Sequence, residues 1–402
     1  MKTFPTPSLT AVIALITAAC LSAETVASDW PDNHWQFSHM RELYPTANIE
    51  RTTSSPWTLT GEPLAPEDIE LSQTDGGYTL ADAIKAQNID SLMVIKDGQV
   101  RVETYRGEQS PSRTHLMMST TKSVVGTIAA ILEARGQLDL SKSVDHYLPE
   151  MSQSAYRDES VRDVLDMRVG SKFNEDYEAL DSDIAAYGCA TGWDKHLYEC
   201  DEDSPQGLKS YMQTIQRDEA NDNRWVYKSI DTDVIGWVLE RVSDKRLPEL
   251  ISDEIWKPMG AEFDADMMGD GLGGFFASGG MNAALRDYAR FGQLILDGGR
   301  GIVPKAFIDD LMNQPGDPTW PYPVEGAEPY YHSFWWGEGN GKGDIKAYGI
   351  HGQLLHIAPT ENTLVAVFSS WDRADEEEDW EAIETLSADL IAYFHTTDAG
   401  SE

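Results

Sequence analysis

The feature that most constrains this chain is a buried helix set directly behind a serine. From Thr120 to Arg135, Val124, Ile128, Ile131 and Leu132 recur at helical spacing, and Gly136 supplies the stop. A helix this apolar must be covered on most sides, so the chain has to build further layers around it. Its first turn reads Ser119-Thr-Thr-Lys122, which sets a hydroxyl and an amine on one face, one turn apart. The free N–H groups and positive dipole end there stabilise a developing oxyanion and disfavour the ammonium form of Lys122. Both effects favour an activated serine. About one Ser-x-x-Lys arises by chance in a chain of this length, so the placement before a buried helix carries the signal.

The covering layers are legible on either side. Ser91–Ile95 and Val100–Tyr105 flank Asp97-Gly98, a hairpin signal, and a short helix is expected over Ala81–Ala86. Helical spacing follows around Val161–Met167, Gly207–Gln216, Asp231–Val242, Pro248–Ile255 and Leu285–Leu296. Strand character returns at Ala347–Ile357 and Thr363–Ser369, and Asp379–Phe394 reads as a terminal helix covering a sheet. The fold class expected is α/β in the α+β sense. An antiparallel sheet flanked by helices is built from residues 77–114 and 276–398, with a helical insertion at about 115–275.

Before this domain, Met1 and Lys2 precede the apolar run Leu9–Cys20 and small residues, the pattern of a signal peptide over residues 1–27. Cys20 offers lipoprotein anchoring as a lesser alternative. A secreted or periplasmic protein is therefore expected, followed by an irregular extension at 28–76 rich in Pro, Trp and Ser/Thr. Removing the signal leaves Cys189 and Cys200, which are expected to pair in an oxidising compartment. Zinc is the rival reading, but His196 is the only histidine between them and the ligand count falls short. The charge is lopsided, with 31 Lys+Arg against 68 Asp+Glu and a formal net charge of −37. That repels nucleic acids and anionic membrane surfaces, so neither nucleic acid nor stable membrane insertion is expected.

Two further segments complete a chemical constellation. Tyr227-Lys-Ser229 precedes the helix near Asp231, where a phenol can relay a proton between serine and leaving group. Gly349-Ile-His-Gly-Gln353 falls in an expected strand, where glycine permits close backbone approach and an edge N–H can serve as an oxyanion donor. Taken in order, the three segments resemble the serine hydrolases of the β-lactamase and penicillin-recognising superfamily. Gly136–Glu150, Val164–Gly170, Ala277–Met281 and Arg286–Gly292 are similar to stretches of that family. The Tyr-x-Ser form, Phe173–Tyr177 and Gly-Ile-His-Gly-Gln are most similar to 6-aminohexanoate-dimer hydrolases and their esterase relatives.

The resemblance implies Ser119 as nucleophile, Lys122 as its base, Tyr227 as proton relay and Ser229 as a partner of Lys122. It also implies an oxyanion hole from the backbone of Ser119 and of Ile350 or a neighbour, supported by His351 and Gly352. Tyr177 is implied as a substrate-covering tyrosine, with Ser278 beside the substrate. Departures matter too: Gly188 stands near the carboxylate that holds the substrate amine in the dimer hydrolases, with Asp181 or Asp183 as substitutes. His351 or its neighbours replace the Lys of Lys-Thr-Gly. The expected activity is hydrolysis of a small-molecule ester or linear amide without metal or cofactor. The alternatives are β-lactamase or D-Ala-D-Ala peptidase action, or a non-catalytic binding protein.

Overall fold

A computed structural model describes residues 34–71, 78–177, 179–193, 200–322 and 324–399, so the expected signal segment with Cys20, the start of the extension and His196 lie outside the described residues. The strands are β1 (Thr46–Ile49), β2 (Ile89–Lys96), β3 (Gln99–Tyr105), β4 (Thr114–Leu116), β5 (Ala265–Met268), β6 (Met281–Ala284), β7 (Tyr330–His332), β8 (Trp335–Gly337), β9 (Ile345–Gly349), β10 (Gln353–Ala358) and β11 (Thr363–Ser369). The helices that matter here are α1 (Leu80–Ala86), α2 (Thr121–Ala134), α3 (Asp183–Thr191), α4 (Ser229–Ser243), α5 (Leu285–Leu296) and α6 (Glu377–Ala399).

The larger sheet is antiparallel, seven-stranded and ordered β3-β2-β11-β10-β9-β8-β7. Asp97 and Gly98 turn β2 into β3 with φ of +52° and +72°, the positive pair that matches the twist of a tight hairpin. β2 is buried along its whole length, because both faces of the sheet are covered. Alternate residues divide between the faces: Leu92 and Val94 pack with Ile383, Leu390 and Phe394 of α6, and Met93 and Ile95 join the main core that contains α5. Asp90 is fully buried and bonded to His34 Nδ1 at 2.9 Å and His115 Nε2 at 3.0 Å, tying the first described residues to the sheet.

A second sheet, four-stranded and ordered β1-β5-β6-β4, departs from expectation. The extension expected to be irregular supplies β1, paired with β5 from Thr46↔Met268 to Ile49↔Ala265. β5 itself falls inside the stretch expected to be helical. Both strands are four residues long, β5 buried throughout and β1 partly exposed, too short for a period-2 pattern to register. The strand expected over Ala347–Ile357 is two strands, with a turn at Ile350–Gly352 where His351 and Gly352 have φ of +61° and +85°. His351 and Gly352 therefore occupy a turn, not a strand. A Cβ on Gly352 would lie 2.4 Å from Trp371 Cε2, so glycine is required there by contact as well as by conformation.

α2 and α4 pack on each other. α2 is buried residue by residue from Thr121 to Leu132. It approaches the turn between β7 and β8 closely enough that a Cβ on Gly126 would sit 2.0 Å from the Ser333 carbonyl oxygen. All the described residues belong to one compact unit, Asp32–Glu402. No helix among them is long and apolar enough to cross a membrane.

Candidate active site

Ser119 sits at an elbow between β4 and α2. Met118 just before it has φ of +46°, a conformation that costs a non-glycine residue on the order of 1 kcal/mol and persists only where neighbours enforce it. The neighbours do: Met117 N–H donates to the Met281 carbonyl at 2.8 Å, and Thr120 Oγ1 donates to the Met117 carbonyl at 2.8 Å. The elbow turns Ser119 into open space while its helix stays buried.

Lys122, one turn on, is 1% exposed. Its Nζ donates to Ser119 Oγ at 2.8 Å, to Ser229 Oγ at 2.9 Å and to the Ser278 carbonyl at 2.6 Å. Burial pushes its pKa down to about 8, against the pull of the Glu175 and Asp233 carboxylates, which favour the charged form. Tyr227 lies with its ring 5.0 Å from Lys122 Nζ and stacks on Trp336 at 5.5 Å between centroids. Burial, reinforced by Glu175, raises the Tyr227 pKa well above 10, while a hydrogen bond with Ser119 works the other way.

Ser229 opens α4, and its Oγ passes a hydrogen bond on to Glu175 Oε1 at 2.6 Å. Its backbone N–H donates to the other oxygen of the same carboxylate. Tyr177 also donates to Glu175 Oε1, at 2.6 Å. Glu175 thus joins the helix start, the Lys122 network and Tyr177, and sequence reasoning missed it although Phe173–Tyr177 had been singled out. Asp233, one turn along α4, was missed too. Its Oδ1 accepts the Ser278 N–H at 2.9 Å, so the Ser278 peptide spans from this carboxylate to Lys122 Nζ. Burial raises the Asp233 pKa.

The turn between β9 and β10 closes the site. Gln353 Nε2 donates to the carbonyls of Ile350, His351 and Ser369 at 3.2, 3.0 and 2.8 Å, which orients the turn. A Cβ on Gly349 would lie 2.8 Å from the Met117 carbonyl, so this strand end abuts the serine elbow. Ser119, Tyr177 and Ile350 border two cavities at once. One, of about 300 Å³, is lined also by Tyr187, Gly188, Trp193, Ser278 and His351. The other, of about 410 Å³, is lined by Tyr227 and an aromatic wall.

The remaining sequence candidates fall as follows. Gly352 borders neither cavity, and His351 Nδ1 is bonded to the Trp371 carbonyl at 2.7 Å. Asp181 and Asp183 do not line the cavity that Gly188 lines, and Asp183 instead accepts the Asn174 N–H at 2.8 Å. Cys189 and Cys200 are disulfide-bonded, with Cα atoms 5.4 Å apart, which ties the last turn of α3 to the chain beyond. Among the described residues, no group of three or more His, Cys, Asp or Glu is arranged to hold a metal.

A family model described as Beta-lactamase matches residues 81–387. The chain belongs to the beta-lactamase family. It is 30% identical over 366 residues, 88% of this chain and 90% of the relative, to a 6-aminohexanoate-dimer hydrolase of Paenarthrobacter ureafaciens. A solved structure provisionally named a 6-aminohexanoate-dimer hydrolase from Bacillus anthracis superposes with a TM-score of 0.80 at 23% identity, covering 90% of this chain and 94% of that one. A D-stereospecific amidohydrolase from Streptomyces sp. matches with a TM-score of 0.54 at 19% identity, over 75% of this chain and 95% of that one. The beta-lactamase/transpeptidase-like fold expected from the motifs, antiparallel sheets flanked by helices, is the fold found. The chain is a hydrolase of this family related to 6-aminohexanoate-dimer hydrolase.

Proposed function

We propose that this beta-lactamase-family hydrolase cleaves an ester or linear amide through an acyl-enzyme on Ser119. The observation that carries the reading is the 2.8 Å contact between Lys122 Nζ and Ser119 Oγ in a buried setting that favours the neutral amine. Neutral Lys122 takes the Ser119 proton as Oγ bonds to the substrate carbonyl carbon. The carbonyl oxygen becomes an oxyanion, held by the Ser119 and Ile350 backbone N–H groups. The bond to the leaving group then breaks, and the leaving group takes a proton from Tyr227, which the Lys122 ammonium replaces. Water attacks the acyl-enzyme by the reverse route, and Ser119 is regenerated. Ser229 and the Ser278 carbonyl hold Lys122 in line, and no metal or cofactor takes part.

One observation favours esters and linear amides over β-lactams. His351 stands in place of the usual lysine, and its Nδ1 is already engaged by the Trp371 carbonyl. Gly188 itself supplies no carboxylate to the smaller cavity, and the one that lines it, Asp372, stands beside Arg373, which weakens the case for an amino-terminated amide there. An exported protein is the reading we favour, resting on the apolar Leu9–Cys20 run and on a disulfide of the kind that persists in oxidising compartments.

The test is intact-mass spectrometry of the protein and of Ser119→Ala after brief exposure to p-nitrophenyl acetate, alongside nitrophenol release. The expected result is an acetyl adduct or rapid turnover confined to the unsubstituted protein. Neither adduct nor turnover in both proteins would favour a binding protein that keeps the fold without the reaction.

A further inference from the structure

The larger cavity beside Ser119 is built differently from the smaller one, and the difference bears on what leaves during the reaction. Tyr227, the proton donor to the departing group in the proposed mechanism, borders only the larger cavity, while Gly188 and Ser278 border only the smaller. The larger cavity therefore receives the leaving group. Its walls are aromatic: Trp225, Trp336, Tyr348 and Trp380 form a continuous run, with centroid spacings of 5.5, 5.6 and 5.3 Å between successive rings. Its charged lining is entirely anionic, from Glu175, Asp375 and Glu384.

The nearby cations do not cancel that charge at the cavity. Lys122 and Lys346 lie 5.0 Å from the ring centre of Tyr227 and 5.8 Å from that of Tyr348, and neither lines the cavity. Lys346 answers Glu338 at 2.9 Å and Glu384 more weakly at 3.8 Å. Asp375 is exposed and accepts a 2.6 Å hydrogen bond from the Trp380 indole N–H, and no Lys, Arg or His among the described residues pairs with it. By contrast, the smaller cavity is lined by Arg373 beside Asp372. Ring faces with carboxylates at their edges attract a cation that sheds its water easily, and a quaternary or tertiary ammonium is the group that fits best. The net charge of −37 adds a field of the same sign.

We infer that the larger cavity is a leaving-group subsite for an ammonium-bearing alcohol or amine, lined by Trp336, Tyr348, Trp380 and Asp375. This inference rests on the proposed acyl-enzyme reading for its assignment of the leaving group. Asp375 and Trp380 select the substrate and take no part in bond making. The reaction is unchanged: the acyl–oxygen or acyl–nitrogen bond breaks, and the ammonium-bearing fragment leaves with a proton from Tyr227.

The test compares acetylthiocholine with its neutral isostere, 3,3-dimethylbutyl thioacetate, by thiol release. The cationic ester is expected to have a kcat/KM about tenfold higher at low salt, carried mainly by KM and shrinking as NaCl is added. Asp375→Asn, which keeps an acceptor for Trp380, and Trp380→Leu should each bring that ratio down severalfold. A ratio near one or below, with both esters cleaved in a Ser119-dependent way, overturns the subsite and leaves the hydrolase standing. Failure of both esters and of p-nitrophenyl acetate counts against the hydrolase instead. Tryptophan fluorescence of Ser119→Ala, titrated with choline and with 3,3-dimethylbutanol, then decides the subsite alone. Choline must bind more tightly, and Asp375→Asn must erase the difference, or the inference fails.

Discussion

At the scale of single residues, the two titrating groups beside Ser119 are separated by their surroundings. Lys122 is buried and Tyr227 partly so, and burial disfavours the charged form of each, so it lowers the amine and raises the phenol. Near neutral pH the phenol is a proton donor, and the amine is the group that gains or loses a proton. The ammonium form cannot accept the Ser119 proton, so kcat/KM is expected to be low in acid and to rise as pH passes through about 8, the value to which burial brings Lys122. Tyr227→Phe should cut kcat by about 10²- to 10⁴-fold while keeping that rising limb. A limb that vanishes in Tyr227→Phe would reassign it to the phenol. Glu175 stabilises the Lys122 ammonium, so Glu175→Gln should move the limb to lower pH, which a pH–rate profile reads directly. Ser119 and Lys122 were legible because their spacing at the start of a buried helix is local, whereas Tyr227, about a hundred residues on, stood out only through the family resemblance. Glu175 and Asp233 were not legible, because in a chain with 68 Asp+Glu a carboxylate has no local mark of its own. Only the approach of Phe173–Tyr177 and of the Ser278 peptide to α4 distinguishes them.

At the scale of elements, close backbone approach positions the chemistry. Gly126 lets α2 pack against the Ser333 carbonyl, where a Cβ would stand at 2.0 Å from oxygen, and a backbone atom cannot swing aside as a side chain can. Gly126→Ala should therefore lower stability by about 1–3 kcal/mol, read as a drop in Tm. Gly349→Val acts on the other side of the nucleophile. Its side chain would press on the Met117 carbonyl and on Met118 Cβ, at 2.8 and 3.0 Å from the first added carbon, and so would push the Ile350 turn off the serine elbow. Because a 1 Å misplacement costs about 10²-fold, kcat should fall far more than KM rises. Equal loss in folding and activity, restored together on cooling, would make Gly349 a stability residue only. The same contacts explain what the sequence left hidden among the elements. The β2–β3 hairpin and α5 announced themselves through Asp97-Gly98 and through periodic apolar residues. The break in the expected strand at Ile350–Gly352 and the short β1 and β5 depend on partners distant in sequence, such as Trp371 for Gly352 and Asp264, which bonds the Arg51 N–H at 2.9 Å just beyond β1.

At the scale of the whole molecule, the excess of carboxylates sets the response to salt. A formal charge of −37 means that folding gathers like charges which the unfolded chain holds further apart. Asp379 illustrates the crowding: burial raises its pKa, Glu376 and Glu378 add to the rise, and Arg373 only partly opposes it. Added salt acts on two opposing quantities. It weakens attractive pairs such as Lys305–Asp309 and Arg157–Asp158, but these are exposed, and exposed pairs contribute about 0–1 kcal/mol each. It also screens the long-range repulsion, which no local pair removes. The Debye length falls from about 30 Å at 0.01 M to about 3 Å at 1 M, so the repulsion summed over the surface fades across that range. The repulsion is the larger quantity, because the unpaired excess is all of one sign. Tm is therefore expected to climb steadily from 0.01 to 1 M NaCl, with most of the gain at the low end, where screening changes fastest. Differential scanning calorimetry in NaCl at fixed pH reads this. A Tm that stays flat or falls over the first few hundred millimolar would show that paired charges, rather than the carboxylate excess, govern the surface.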